Sequence, residues 1–219
     1  MSVNFPGSGG GSVSPASAYP EKPADAAQQI GDLIARRWSP RAFDEQRPVA
    51  REQILALLEA ARWAPSCFNE QPWRYLVFDG GDPEALSAAR ACLIGFNAWA
   101  LKAPVLLLSL AKNTFSGNGK PNRHAQHDLG LASSNFVLEA VRQGLVVHQM
   151  GGFDADKARR DFGIPSDYTP MAMMAVGYPY TGPLEELPGA LRSMETEPRR
   201  RKPVGEIAFA GRWSSPFGR

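Results

Sequence analysis

Apolar residues recur along this chain at helical and strand spacings, and the switches between the two divide it into elements. Ile30, Leu33 and Ile34 predict a helix from Ala24, and Pro40 forbids its continuation past Arg36-Arg37-Trp38-Ser39. Ile54, Leu57, Leu58 and Ala61 form one stripe of a second helix, Ala50 to Trp63. Arg74 to Asp79 reads as a strand. Asp82-Pro83-Glu84 is an N-cap followed by proline, so a helix runs from there to about Leu93. Val105 to Leu110 is continuously apolar, which predicts a central strand covered on both faces. A long helix, His124 to Gln143, carries Leu129, Ala132, Phe136 and Ala140 and stops at Gly144. Leu145 to Gln149 follows as a short strand, Asp154 caps a short helix closing at Gly163, and Met171 to Gly177 is a further strand.

The segments between are as telling. Residues 1–23 are rich in Gly, Ser and Pro without apolar period, so a disordered tail is expected ahead of a single domain, 24–219. The Lys112–Arg123 loop has the length of a mobile lid. The last forty residues are mostly polar. They carry Arg199-Arg200-Arg201-Lys202, with Ile207, Phe209 and Trp213 behind, available to dock as an arm.

Composition narrows the class. At 219 residues, 43% hydrophobic and 21% charged, the chain has the make-up of a globular protein with one sizeable core or two small ones. A net charge of +2 gives no global argument for nucleic acid. Cys67 and Cys92 are the two cysteines, and no basic-then-apolar leader precedes the domain, so a cytoplasmic protein with free thiols is expected. No apolar run approaches the ~20 residues that span a bilayer, so no membrane partner is expected.

Candidate chemistry concentrates between Pro65 and Pro72, where Ser66, Cys67, Asn69 and Gln71 make a short polar loop pinned at both ends. Its carboxamides donate and accept, which suits the edge of a flat heterocycle. Alone, the segment reads as a surface turn. Two glycine-rich runs are not phosphate loops: Gly7 to Ser12 lacks a preceding strand and a closing Gly-Lys-Ser/Thr, and Pro121 follows Gly117-Asn118-Gly119-Lys120. His124, His127 and Asp128 lie one helical turn apart without a second cluster to complete a metal site, and read as helix surface. His148 reads as a strand residue. The basic run at 199–202 has no aromatic platform for nucleic acid.

Several segments agree with one family. Arg37-Trp38-Ser39-Pro40-Arg41-Ala42-Phe43 resembles the N-terminal flavin motif of the FMN-dependent nitroreductase superfamily, and Pro65 to Trp73 resembles its second motif. Asn135 to Phe153 is similar to the family's long helix and Gly-Phe turn, and Arg199 to Pro203 to its basic C-terminal segment. The resemblance implies an α+β fold, a mixed sheet flanked by helices, and an intertwined homodimer with an exchanged C-terminal arm. FMN then lies at the dimer interface, touched by both chains.

That resemblance also distributes roles. Arg37, Arg199 and Arg201 are expected on the FMN phosphate, with Ser39 on the phosphate or ribityl chain and Trp38 at a variable position beside them. Arg41 is expected at the flavin edge where negative charge collects on reduction. Pro65, Ser66, Cys67, Asn69 and Gln71 would reach the ring from the neighbouring subunit. Met150, Gly151 and Gly152 would bring backbone to flavin N5. Many members carry a glutamate where Gly151 stands. Cys67 acting as a nucleophile would need a histidine that no motif places near it. The implied activity is an NAD(P)H oxidoreductase, with NADH or NADPH as reductant. It would reduce nitroaromatics, quinones or other flat aromatic acceptors by ping-pong exchange at one site. A flavin-destroying, dehalogenating or heterocycle-oxidising member and a non-catalytic FMN-binding protein are the other readings.

Overall fold

The computed structural model describes residues 20–217. Ten main elements follow in order: α1 Asp32–Arg36, α2 Arg51–Arg62, β1 Trp73–Phe78, α3 Pro83–Arg90, β2 Val105–Lys112, α4 Ala125–Arg142, β3 Val146–Met150, α5 Ala155–Asp161, β4 Tyr168–Gly177 and α6 Gly189–Thr196. Short 3-10 turns lie between them, the longest at Gly95–Lys102.

The sheet has the order β1-β2-β4-β3. Every pairing in it is antiparallel, which corrects the expected mixed sheet for the described residues. The reason is topological. Helix α4 returns the chain so that β3 runs parallel to β2, but β4 is inserted between them and opposes both.

The prediction for β2 holds: seven of its eight residues are buried, and they alternate between two cores. Val105, Leu107 and Ala111 face α2 and α4, with Ile54, Leu57, Ala61, Leu129 and Phe136. Leu106, Leu108 and Leu110 face α3, α5 and the 95–102 turn, with Phe78, Leu86, Ala158 and Met173. A period of two on a strand buried on both sides reads as one apolar run.

Caps behave as the sequence implies. Asp82 accepts from Ala85 N at 3.0 Å and Asp154 from Lys157 N at 2.8 Å. Gly144, at φ +73°, ends α4, and Leu145 N reaches back to Ala140 O at 2.9 Å. Helix α2 starts at Ala50, which has no side-chain acceptor. Gln53 Oε1 instead accepts from Ala50 N at 3.1 Å.

Four expectations change. The first helix is confined to Asp32–Arg36; Gly31 precedes it, and Ala24 N is spent on Ala35 O at 2.8 Å, which lays residues 24 and beyond back along the helix. Most of the expected tail, residues 1–19, lies outside the described residues, whereas Lys22 is fastened to the domain. The expected lid is a tethered hairpin. A Thr114–Pro121 bridge closes it, Thr114 Oγ1 donates to Asp167 Oδ2 at 2.7 Å, and Ser116 N donates to Glu70 Oε1 at 2.6 Å. Helix α6 lies in the mostly polar C-terminal segment, where no helix was expected, although Ala190, Leu191 and Met194 share one face of it. No described helix is long and apolar enough to cross a membrane.

Phe136 sits fully buried at the centre of the α2–α4–sheet core, 6.1 Å from the Tyr75 ring. Phe136→Ala is expected to lower the apoprotein's unfolding free energy by about 3–5 kcal/mol, read from urea denaturation.

Candidate functional site

The segment after α1 is held beside the end of the sheet. Phe43 bridges Pro179, Asp44 N donates to Tyr178 O at 3.0 Å, and Tyr180 N to Ala42 O at 3.2 Å. Pro40 is buried, and Arg41 N donates to Glu195 Oε1 at 2.8 Å. Glu195, on α6, is fully buried. The C-terminal helix thus fixes the backbone of the N-terminal motif.

These contacts shape a cleft of about 280 Å³ lined by Lys22, Arg37, Trp38, Ser39, Arg41, His148, Met194, Glu197, Pro198, Arg199 and Arg201. The positions expected around the phosphate and ribityl chain (Arg37, Trp38, Ser39, Arg199 and Arg201) therefore meet in one place, together with Arg41, expected at the flavin edge. Five cationic side chains and one carboxylate face it. Burial lowers the pKa of Arg37, and the charges of Arg199 and Arg201 lower it further. Burial, then Arg201, does the same to Arg199. Arg37 Nη1 donates to Ser39 Oγ at 3.3 Å. Arg199 Nη1 donates to Lys22 O and Ala35 O, both at 2.7 Å, so part of this guanidinium clasps backbone. Cations gathered and partly desolvated make a site whose electrostatic complement is an anion.

His148 projects from β3 into the same cleft. Its Nδ1 lies 2.9 Å from Pro40 O, which can only accept, so Nδ1 carries the proton and Nε2 keeps a lone pair. Its ring packs 4.5 Å from that of Trp99, over which the Arg41 guanidinium also lies at 5.8 Å. Burial pushes its pKa down to about 4, with Arg41 and Arg37 adding to the shift and the Pro40 carbonyl opposing it.

The carboxamide loop is elsewhere. Ser66, Cys67, Asn69 and Gln71 do not line this cleft, nor a second of about 380 Å³ bounded by Ile34, Arg37, Ser39, Gly130, Ser134, Val137, Leu138, Val147 and Gln149. Pro65 is exposed at the start of the loop. Phe68, Asn69 and Gln71 all have positive φ, at 53°, 56° and 51°, an unfavourable region for residues with a Cβ. What holds it is specific. Ser66 Oγ accepts from Gln71 N at 3.0 Å, and Gln71 Nε2 donates to Asn69 O at 3.1 Å. Buried Asp128 Oδ2 on α4 accepts from Cys67 N at 3.0 Å. Asp128 was expected on the helix surface and is instead the loop's anchor. No cluster of His, Cys, Asp and Glu among the described residues could hold a metal.

At the end of β3, Met150 pairs with Met173 of β4 and is buried with the α3–α5 core. Gly151 is exposed, and a Cβ built there meets nothing within 4 Å. A Cβ on Gly152 would lie 2.5 Å from Phe96 Cζ and 2.8 Å from Asn97 Nδ2, the atom that donates to Gly152 O at 2.7 Å.

The Nitroreductase family model matches residues 34–94 and 82–178, a span containing the N-terminal basic motif, the carboxamide loop and the Gly-Gly-Phe turn. The chain belongs to the nitroreductase family. A solved structure described as an oxidoreductase containing FMN is 31% identical, with a TM-score of 0.80 over 93% of this chain and 100% of that one. A nitroreductase family protein from Clostridium difficile 630, 23% identical, shares the fold at a TM-score of 0.64 over 84% of this chain and 99% of its own. An uncharacterised Mycolicibacterium smegmatis protein is 32% identical over 121 residues, 55% of this chain and 79% of that protein.

For this nitroreductase family member, Lys22, Glu195 and Glu197 are site or anchoring residues that the sequence did not single out, and the sequence reads His148 and Asp128 only as a strand residue and as helix surface. Asp128 had a usable signal: it shares a helical phase with Ala125, Leu129 and Ala132, all buried. Glu195 had none, because its burial depends on where α6 docks.

Two outcomes follow from this geometry. Gly152→Ala is expected to destabilise by about 1–3 kcal/mol through overpacking, and Gly151→Ala by less than about 0.5 kcal/mol, in matched thermal melts. As pH falls from 6.5 towards 4, the unfolded chain protonates His148 while the folded one does not, so stability drops across that window. His148→Gln should flatten that part of the pH–stability curve.

Proposed function

We propose that this chain is an FMN-dependent oxidoreductase whose cofactor spans two subunits. The observation that supports it most is the convergence of Arg37, Ser39, Arg41 and Arg201, from opposite ends of the sequence, on one cationic cleft. A phosphate dianion fits that donor set: it relieves the mutual repulsion of the guanidiniums and accepts their N–H groups. The 31% identical relative described as containing FMN supports the same ligand. FMN, when bound, supplies two-electron redox chemistry that protein side chains lack.

The chain's own residues bind and orient. Arg37 and Arg201 hold the phosphate end. Ser39 offers its hydroxyl, and the neutral His148 offers an Nε2 acceptor to a cofactor hydroxyl. Arg41, its backbone fixed by Glu195, presents a cation to the reducible end of the cofactor. A cation that favoured the reduced form by a further ~1.4 kcal/mol would raise the potential by ~30 mV. Gly151 and Gly152 line neither cleft; in this reading their backbone would meet the flavin ring from the end of β3, with Phe96 beside Gly152.

Ser66, Asn69 and Gln71 stay outside this chain's own clefts, which supports a role for them in the site of a second copy. Exposed Ile207, Trp213 and Phe217 at the C-terminal end support an arm that a partner covers. With NADH or NADPH as reductant and a flat aromatic acceptor using the same face, alternating ping-pong turnover is the expectation.

A complementation experiment tests the shared site. Arg201→Gln and Asn69→Gly homodimers should each bind FMN about tenfold or more weakly. Heterodimers of the two variants contain one site with both defects and one with neither. They should recover tight binding at about half the sites, and bleach to that extent with NADH or NADPH under anaerobic conditions. Heterodimers with no tight site would place both residues around one chain's cofactor and defeat the proposal.

A further inference from the structure

Composition puts Lys22 in the N-terminal tail, yet its side chain lines the cationic cleft. The surrounding segment is fastened to both walls. Lys22 Nζ donates to Met194 O of α6 at 3.0 Å and lies 4.2 Å from the centre of the Trp38 ring. Lys22 O accepts from Arg199 Nη1 at 2.7 Å, and the next turn of chain is tied to α1 through Ala24 N and Ala35 O at 2.8 Å. A lysine held this way loses rotamer freedom and water among other cations.

Around the ammonium, the charges of Arg41 and Arg199 oppose it while Glu195 and Glu197 favour it, and burial outweighs each of them. An ammonium has three N–H donors, and Met194 O takes one. The Trp38 face screens one side, which leaves the cleft as the direction in which further donors can be used. A compact point charge also demands no planar match from an anion, so it can join guanidiniums around one phosphate.

We propose that Lys22 is a phosphate-binding residue of the flavin site, carried there by residues 20–23 acting as a strap across the cleft. This rests on the FMN reading above. It adds a ligand from outside the span of the family model, which begins at residue 34.

Full-length wild-type, Lys22→Met and Lys22→Arg proteins are titrated with FMN and with riboflavin, which lacks the phosphate, by flavin fluorescence quenching. Lys22→Met should weaken FMN about tenfold or more while changing riboflavin by less than about twofold; Lys22→Arg should keep FMN within about threefold of wild type. FMN and riboflavin weakened in equal measure would mean the strap merely covers the cofactor, and would overturn the assignment. So would unchanged FMN affinity in Lys22→Met, or equal losses in the Met and Arg variants. A wild-type protein that binds neither flavin would instead sink the FMN reading itself, and this inference with it, before any variant is compared.

Discussion

Burial disfavours the charged forms of Arg37 and Arg199, the positive charge of Arg201 adds to that for both, and the surrounding structure exists to keep these cations together. Repulsion of this kind favours either spreading apart or finding an anion. Spreading is blocked on several sides. Arg199 is clasped to two backbone carbonyls, the backbone of Arg41 is hydrogen-bonded to buried Glu195, and Pro40 is locked against His148. The cleft therefore carries an electrostatic cost that an anion would offset, a common arrangement where perturbed ionisable groups cluster.

Much of the frame was legible because it follows from periodicity. The two-sided burial of β2, the inward stripe of α2 and the caps at Asp82 and Asp154 each follow from a local pattern with one physical solution. The misses share a cause, dependence on long-range docking. The first helix is short because Ala35 O serves Ala24 and Arg199. The antiparallel order comes from the insertion of β4 between strands whose own sequences do not specify neighbours. At the site, the basic motifs could be named from their residue types. His148 and Lys22 belong to it only because a strand end and a segment before the domain arrive at the same cleft.

Apart from Met150, Gly151 and Gly152 at the end of β3, the site residues named from the sequence separate into two groups within one chain. The cationic group is built by α1, β3 and α6 together with the chain ends; the carboxamide group is built between α2 and β1 and braced by α4. A cofactor with an anionic end and a flat, hydrogen-bonding end has the same division. Pairing two copies would bring unlike ends together, and a lone subunit would own only part of each contact set.

Glu70 joins the carboxamide loop to the 113–122 hairpin through Ser116 N, and Phe68 meets Phe115 edge-on at 6.2 Å. The two segments form one mechanical unit, with three residues at positive φ on one side of it. Sequence drift in the hairpin is consequently felt by the backbone that presents Asn69 and Gln71. Under the flavin reading proposed above, a change at that rim would therefore also shift the backbone offered to the isoalloxazine.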